Sequence, residues 1–282
     1  MRGDRRLYAL ALGALALVAI TDVLPSLYVI AMSFSPVRGS HAGAYRVILR
    51  DSVFARSLLN TALFSLGSAV FQIAVGLALA RAISHLSRKA QTWWFMVLLA
   101  PWLMSEMASV VLWRGILMAD VGHLDRWVHT LGLPSLRLLA GSRTALPALV
   151  IVATWQGIGF TTLFLLGALS AIPRNLYRAA SVSGLGSCRT LVCLELPLLT
   201  PALAAGFVAV AMRSAGQFAL PARLTMGGPM HTTTMASTYL LERLLIDPTP
   251  AIAAAGGSVV LAAFVLVGIV VWRLRWAGAA AA

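Results

Sequence analysis

Long apolar runs alternate with short polar segments along the whole chain. Because an α-helix rises 1.5 Å per residue, about 20 apolar residues cross the hydrocarbon layer of a membrane. The first run begins at Leu7 and continues past Pro25 to Phe34, which is longer than the apolar part of a cleaved signal peptide. We therefore expect it to remain as the first membrane helix. The predicted helices lie near residues 7–33, 59–83, 92–113, 146–170, 198–217 and 251–272.

The composition agrees with this pattern. Of the 282 residues, 60% are hydrophobic and only 11% are charged, and the mean hydropathy is +0.87. A soluble domain does not have this composition, whereas a polytopic membrane protein does. We therefore predict an all-α membrane protein with six transmembrane helices, forming one transmembrane domain over residues 1–282.

The basic residues predict an orientation. The net charge of +13 comes mostly from arginines between the apolar runs. If the N-terminus is inside, the inside loops are shorter and denser in positive charge, as the positive-inside rule requires. Most acids fall in the other segments, namely Asp51, Asp120, Asp125, Glu242 and Asp247. The chain is thus predicted to cross the cytoplasmic (inner) membrane several times, with both termini in the cytoplasm.

The arginines also indicate which kinds of molecule the chain contacts. Scattered between apolar runs, they are expected to contact lipid headgroups. No basic run carries interleaved aromatic residues, which argues against a nucleic-acid partner.

The stretch from Ser170 to Pro201 is the longest polar and basic interruption that still has a helical pattern. Pro173 suits a first helical residue and Ser170 a cap before it. Arg174 and Arg178 are four residues apart, so they share a cationic helix face. Gly184 is expected to end this helix, and a second short helix is expected from Ser187 to Leu196. The stretch is either a solvated loop or a docking element for a soluble partner.

Three polar residues fall inside predicted membrane helices. Asp22 and Glu106 are acids, and Gln156 is an amide next to Gly157. Such residues usually face the interior of a helix bundle. Glu106 and Gln156 are candidates for a translocation path, with a helix-packing hydrogen bond as the alternative. For Asp22, beside Pro25, packing is the favoured interpretation.

No group of residues has the pattern of a catalytic or metal site. The five histidines are scattered and none has metal-ligand spacing, and Cys188 and Cys193 lie five apart, which suits neither a redox pair nor a metal. A nucleotide-binding P-loop needs Gly-Lys followed by Ser or Thr. The only lysine is Lys89, which follows Arg88. The chain is therefore predicted to hold no cofactor or metal and not to be an enzyme, and any ATP that drives it would bind another polypeptide.

The polar stretch resembles the EAA loop of binding-protein-dependent ABC importer permeases. The resemblance rests on Leu169-Ser-Ala-Ile-Pro-Arg-Asn-Leu-Tyr-Arg-Ala-Ala-Ser-Val-Ser-Gly184, followed by Leu194-Glu-Leu-Pro197 and Pro201. Within that family, the stretch most resembles the carbohydrate and glycerol-phosphate subfamily. Further matches are Asn60-Thr61, Gly76-Leu-Ala-Leu-Ala80, Pro101-Trp102, Trp113-Arg114 and Leu224-Thr-Met-Gly-Gly-Pro229, so the likeness covers about residues 50–275.

The resemblance implies a fold, a mechanism and a set of partners. The fold is that of type I ABC importer permeases. The chain would pair with a second permease subunit and move a sugar or related polyol. Two ATPase subunits would bind ATP and receive residues 173–196, which we call the coupling loop, and an extracytoplasmic solute-binding protein would deliver the substrate. The coupling residues implied are Pro173, Leu176, Tyr177, Arg178, Ala179, Ala180, Ser183, Gly184 and Pro197.

The chain departs from the family pattern at the two acids of the loop. Arg178 stands where the pattern has Glu, Ser183 where it has Asp, and Leu185 replaces the alanine after the glycine. A reversed charge at a docking surface disfavours the usual partner unless the partner is altered to match. A compensating acid on the ATPase is the favoured explanation; another polar contact and weaker coupling are the alternatives.

Other function classes have less support in the sequence. A secondary transporter needs ion-coupling acids in the membrane, for which only Asp22 and Glu106 are candidates. An intramembrane enzyme needs a nucleophile or metal set within the helices, and the sequence shows none. Within the importer family, glycerol-phosphate, amino acids and other small solutes remain alternative substrates.

Overall fold

The computed structural model describes residues 12–35, 43–245 and 250–280. Within these ranges every regular element is helical. The long helices are α1 (Leu12–Ser33), α3 (Ser52–Ser84), α7 (Ala145–Ser170), α9 (Ser187–Ala215) and α12 (Pro250–Ala280). The shorter ones are α2 (Ala44–Arg50), α4 (Arg88–Leu103), α5 (Glu106–Leu117), α6 (His123–Thr130), α8 (Arg174–Val182), α10 (Ala219–Leu224) and α11 (Ala236–Leu245).

Five helices are long and apolar enough to cross a membrane, and a bent helix pair raises the number to six in the described part of the chain. Each coincides with one of the predicted apolar runs, although residues 7–11 of the first lie outside the described residues. Helix α3 begins earlier than predicted, at Ser52 instead of residue 59. The reason is a cap: the carboxylate of Asp51 accepts hydrogen bonds from the backbone N–H groups of Val53 and Phe54, at 2.8 and 3.3 Å.

The third predicted helix, 92–113, is not one helix. It is divided into α4 and α5, which meet at an angle of 96°. Pro101 lies in the last turn of α4, and Ser105 caps α5 by accepting a hydrogen bond from the N–H of Ala108 at 3.2 Å. An apolar run alone cannot reveal this break, because the residues on both sides of it are equally hydrophobic.

The fifth predicted helix was expected to begin at residue 198, after a separate short helix. That expectation was wrong, since α9 runs from Ser187 without interruption. A π-helical turn over Leu191–Glu195 comes directly before Pro197. Such a turn accommodates a proline ring and its missing N–H, so the helix continues through Pro197 and Pro201.

The chain forms two compact units, which are described separately. The first contains the described residues up to Ala55 and from Tyr239 onward, and in it α12 packs against α1 and α2. Arg243 bonds to Asp51 at 2.7 Å, and the hydroxyl of Tyr239 donates to the same carboxylate oxygen at 2.5 Å. The prediction of a single domain over 1–282 stays a prediction.

The second unit, Arg56–Thr238, contains the coupling loop and the candidate path residues. In it α7 packs against α4 and α9, and α5 packs against α10. Helix α7 is apolar on all sides, as expected of a helix surrounded by others, and half of its length is buried. Its contact with α4 is close: a β-carbon at Gly159 would lie 1.9 Å from the backbone oxygen of Leu98.

Candidate functional site

Helix α8 divides its residues between a packed face and an open face. Ala180 is buried, and Leu176 and Tyr177 are half-buried. Leu176 and Tyr177 pack against an apolar cluster formed by Ala80, Leu165, Leu169, Ile172 and Leu199. The cluster joins α3, α7 and α9, so α8 rests on three long helices.

The open face of α8 is cationic. Arg174 and Arg178 are both exposed, and Ala179 and Ser183 are exposed beside them. Val182 is 90% exposed, an unusual position for a branched apolar residue. A helix with one face packed and one face charged and partly apolar is suited to enter a groove on another protein.

Both ends of α8 are fixed by local geometry. Pro173 is the residue before the helix, with an extended backbone, and is not its first helical residue as predicted. Ser170 belongs to the end of α7 and does not cap α8, because Ala171 and Ile172 intervene. At the other end Gly184 has a φ of +70°, as its predicted role as a helix stop requires.

Gly184 completes a Schellman turn. Its N–H donates to the carbonyl of Ser181 at 3.1 Å, and the N–H of Leu185 donates to the carbonyl of Ala180 at 3.0 Å. This pattern satisfies the last carbonyl groups of a helix and depends on a left-handed residue, usually glycine. The exit of the chain from α8 is therefore rigidly defined.

An ion pair holds the base of the coupling loop. Arg81 Nε on α3 lies 2.6 Å from Glu195 Oε2 on α9, and Glu195 is 4% exposed. The same guanidinium donates to the backbone oxygen of Ser187 at 3.0 Å. Tyr177 of α8 is within electrostatic reach of both charges: burial and the negative charge of Glu195 raise the pKa of its phenol. We call Arg81, Tyr177 and Glu195 the loop clamp.

The loop clamp was not predicted from the sequence, although Tyr177 was named as a coupling residue. The available signal was Glu195, an acid in an apolar stretch immediately before Leu196-Pro197. A buried acid needs a cationic partner. Sequence alone does not show that Arg81, 114 positions earlier, is that partner. Pro197 itself is exposed on α9.

The two candidate path residues do not contact each other in the described part of the chain. Glu106 is the first residue of α5, directly after the bend, and is half-buried. Gln156 is 1% exposed in the middle of α7, and its Oε1 has no hydrogen-bond partner in the described part of the chain. The third polar residue, Asp22, is exposed in a π-helical turn of α1 and accepts a hydrogen bond from Thr21.

A cavity of about 270 Å³ lies among α3, α4, α7 and α9. Its lining residues are Gln72, Trp102, Gly157, Phe160, Thr161, Phe164, Ala205, Gly206, Ala209, Val210 and Arg213. Neither Glu106 nor Gln156 is among them. A β-carbon at Gly157 would lie 2.1 Å from Gln72 Oε1, so the glycine lets this buried amide reach the cavity wall.

Asp120, Asp125 and His129 place potential metal-ligand atoms within 4.8 Å of one another. Both carboxylate oxygens of Asp125 are already engaged, by the hydroxyl of Ser135 at 2.5 Å and by the backbone N–H of Leu136 at 2.8 Å. The hydrogen bond from Ser135 is the largest influence on the Asp125 carboxyl and lowers its pKa. The three side chains therefore lie close together because Asp125 holds the loop at Ser135 and Leu136 in place.

Comparisons with known proteins agree with the resemblance of the loop. Residues 61–275 match the family described as binding-protein-dependent transport system inner membrane component. A probable ABC transporter permease of Bacillus subtilis, YurN, is 29% identical over 77% of this chain and 75% of its own length. The sulfoquinovosyl glycerol transport system permease SmoG of Agrobacterium fabrum is 27% identical over 84% of this chain and 80% of its own.

A longer relative and a solved structure extend the comparison. The maltose/maltodextrin permease MalF of Escherichia coli is 28% identical over 70% of this chain, which corresponds to 38% of MalF. A bacterial ABC transporter that imports the acidic polysaccharide alginate contains a chain with a TM-score of 0.78 at 21% identity, covering 97% of this chain and 96% of that one. This likeness shows the fold, and it confirms the predicted type I importer permease architecture.

Proposed function

Because the chain belongs to the family of binding-protein-dependent transport system inner membrane components, we propose that it is one permease of an ATP-driven importer for a sugar or related polyol. It pairs with a second permease to form the path. ATP is bound and hydrolysed by two separate ATPase subunits, and a solute-binding protein outside delivers the substrate. Relatives that carry a maltodextrin and a sulfoquinovosyl glycerol transport name support the sugar class.

The observation that carries the proposal is the construction of the coupling loop. Helix α8 exposes Arg174, Arg178 and Val182 on one face, while its other face packs on α3, α7 and α9. A partner that moves α8 therefore acts on three long helices at once. Rigid packing of this kind transmits a displacement, because packed cores shift between discrete arrangements and do not deform continuously.

The position of the loop supports the predicted orientation. If α8 meets an ATPase, the end of α7 and the start of α9 are cytoplasmic. With six spans, both termini are then cytoplasmic too, in agreement with the density of basic residues in the inside loops. Residues 1–11 and 281–282, which carry the two termini, lie outside the described residues.

The proposal is tested by isolating the chain with its partners. A tagged chain is expressed with the products of its neighbouring genes, extracted in mild detergent and purified, and the bound proteins are identified by mass spectrometry. We expect a second permease and an ATPase with a P-loop. Purification of the chain alone or as a homo-oligomer, from cells that contain the ATPase, would refute the proposal.

A further inference from the structure

The cavity of the second unit has a wall suited to sugar rings. Trp102 and Phe160 are stacked with ring centroids 5.4 Å apart and planes 16° apart, and Phe164 lies on the same wall. Aromatic faces bury large areas and present an electron-rich surface. The C–H faces of a pyranose ring are complementary to such a surface.

Two polar groups interrupt the aromatic wall. Gln72 is 1% exposed and donates to the carbonyl of Ala153 at 3.2 Å. Thr161 is 2% exposed and donates to Gln72 Oε1 at 3.4 Å or to the carbonyl of Gly157 at 3.1 Å. A mainly apolar pocket with a few fixed polar groups is typical of small-molecule sites.

Arg213 is the charged member of the lining. It has no hydrogen-bond or ion-pair partner within residues 12–35, 43–245 and 250–280; only the charge of Glu106 acts on it across a longer distance. A cation within a membrane helix is costly unless it is paired or reaches water, so such a residue generally marks a functional site. Its planar guanidinium binds oxoanions in a bidentate manner.

The position of Arg213 fits the entrance of a path. It lies at the end of α9 opposite the coupling loop, and Ala205 lies about 12 Å deeper along the helix axis. The alternative is that the exposed side chain extends to lipid headgroups, as arginines near helix ends do. That alternative explains neither its place in the cavity lining nor the stacked rings of the same wall.

We propose that this cavity is a saccharide-binding subsite and that Arg213 selects substrates that carry an anionic group, a carboxylate, sulfonate or phosphate. This inference rests on the proposed function and narrows its substrate class to acidic sugars. The aromatic wall supplies affinity for the ring, and Arg213 supplies discrimination against neutral sugars.

The test measures binding to the complete transporter without its solute-binding protein, so that selectivity of that protein does not enter. Saturation-transfer NMR in nanodiscs compares two matched pairs of probes, digalacturonate with galactobiose and glucose 6-phosphate with glucose. At least one anionic probe is expected to bind about tenfold more tightly than its neutral partner, because a bond to a charged group is worth that much. A difference within the first pair indicates selection of a carboxylate, and a difference within the second pair indicates selection of a phosphate.

Three variants separate the roles of the charge. Arg213→Gln should abolish the preference for the anionic probe, so that the two members of each pair bind with similar affinity. Arg213→Lys should keep part of the preference, since the charge remains but the bidentate geometry is lost. Arg143→Gln removes an exposed arginine outside the cavity and should behave as wild type.

Several results would overturn the inference. These are equal affinity for both members of each pair, no binding of any probe, an unchanged preference in Arg213→Gln, or loss of the second permease from that variant. ATP-dependent sugar uptake by the same transporter, reconstituted in proteoliposomes with its solute-binding protein, separates this failure from that of the proposed function. Sugar uptake together with equal binding of the anionic and neutral probes removes only the inference, whereas an absence of uptake of any sugar removes both.

Discussion

Arg178 is exposed on α8, one helical turn after Arg174, in a loop whose family pattern has a glutamate there. Its side chain makes no hydrogen bond or ion pair within the described ranges, so its charge is available to a partner. A groove that receives two arginines must offer negative charge, because an unpaired cation buried at an interface is strongly unfavourable. A compensating acid on the proposed ATPase therefore stays the expected partner of Arg178.

Reversing this charge should weaken the association with the ATPase. For Arg178→Glu we expect an affinity about tenfold lower or worse, since like charges then meet at the interface. The measurement is the amount of ATPase that co-purifies at increasing salt. Arg88→Glu, an exposed arginine elsewhere on the predicted cytoplasmic side, is the matched control. Equal recovery in both variants would show that Arg178 does not face the ATPase.

The loop clamp makes a second prediction at the residue scale. Glu195→Gln leaves Arg81 without its 2.6 Å partner, and removal of one member of a buried pair costs on the order of 2 kcal/mol or more. Because Tyr177 joins α8 to the same charges, we expect α8 to loosen and the number of substrates moved per ATP to fall several-fold. Uptake and ATP hydrolysis are measured together in proteoliposomes.

A charge exchange provides the control for the loop clamp. Arg81→Glu combined with Glu195→Arg restores opposite charges and should recover part of the coupling, whereas each single change should not. A thermal midpoint measured in parallel separates unfolding from uncoupling. If Glu195→Gln lowers the thermal midpoint but leaves the number of substrates moved per ATP unchanged, the loop clamp stabilises the fold and does not contribute to coupling.

At the scale of elements, the helices are joined by features that the apolar pattern does not contain. The sequence predicted the number of spans and most of their bounds because lipid requires long apolar helices. It did not predict the 96° bend before α5, because Pro101 and Ser105 act through local geometry. It also did not predict the continuous α9, since Pro197 was interpreted as a helix start and the π-helical turn before it lets the helix pass through.

Glycines of α7 give a matched pair of variants. A β-carbon at Gly159 would lie 1.9 Å from Leu98 O of α4, whereas one at Gly167 meets nothing within 4 Å. Gly159→Ala should therefore force α4 away and lower the thermal midpoint by several degrees, a cost of about 1–3 kcal/mol. Gly167→Ala should be neutral or slightly stabilising. Similar midpoints for the two would contradict the packing of α4 on α7.

Asp51 links the start of α3 to α11 and makes stability depend on pH. Burial acts to raise the pKa of its carboxyl, but hydrogen bonds from Tyr239, Val53, Arg243 and Phe54 outweigh it and lower the pKa below its usual value. A depressed pKa stabilises the folded state above the unfolded pKa, near 3.9, and this contribution is lost as pH falls through the lower folded value.

Asp51→Asn should therefore remove part of the stability at pH 7 and flatten its decline below about pH 4. Asparagine keeps a capping oxygen, so Asp51→Ala should cost a further amount of about 1 kcal/mol. Thermal midpoints in detergent between pH 3 and pH 7 measure both effects. An unchanged pH dependence in Asp51→Asn would show that the carboxylate is not ionised in the bond network.

At the scale of the whole molecule, the sequence predicted the family and the short helix that begins after Pro173 and ends before Gly184, whereas the coupling role of that helix stays a prediction. Tyr177, Ala180 and Gly184 were recognisable because their spacing is a pattern within one segment. Cavity residues such as Gln72, Phe160 and Arg213 come from different helices and meet only in the fold. Glu106 and Gln156 were chosen for polarity alone; their role in the path stays a prediction, and they do not line the cavity.

ATP-driven uptake tests the whole mechanism most directly. The complete transporter is reconstituted in proteoliposomes with its solute-binding protein, and uptake of labelled sugars is followed with ATP, with a non-hydrolysable analogue, and with ion gradients alone. We predict uptake only with hydrolysable ATP, and slower uptake when Arg178→Glu weakens the association with the ATPase. Uptake driven by an ion gradient in the absence of ATP would contradict the mechanism and identify the chain as a secondary transporter.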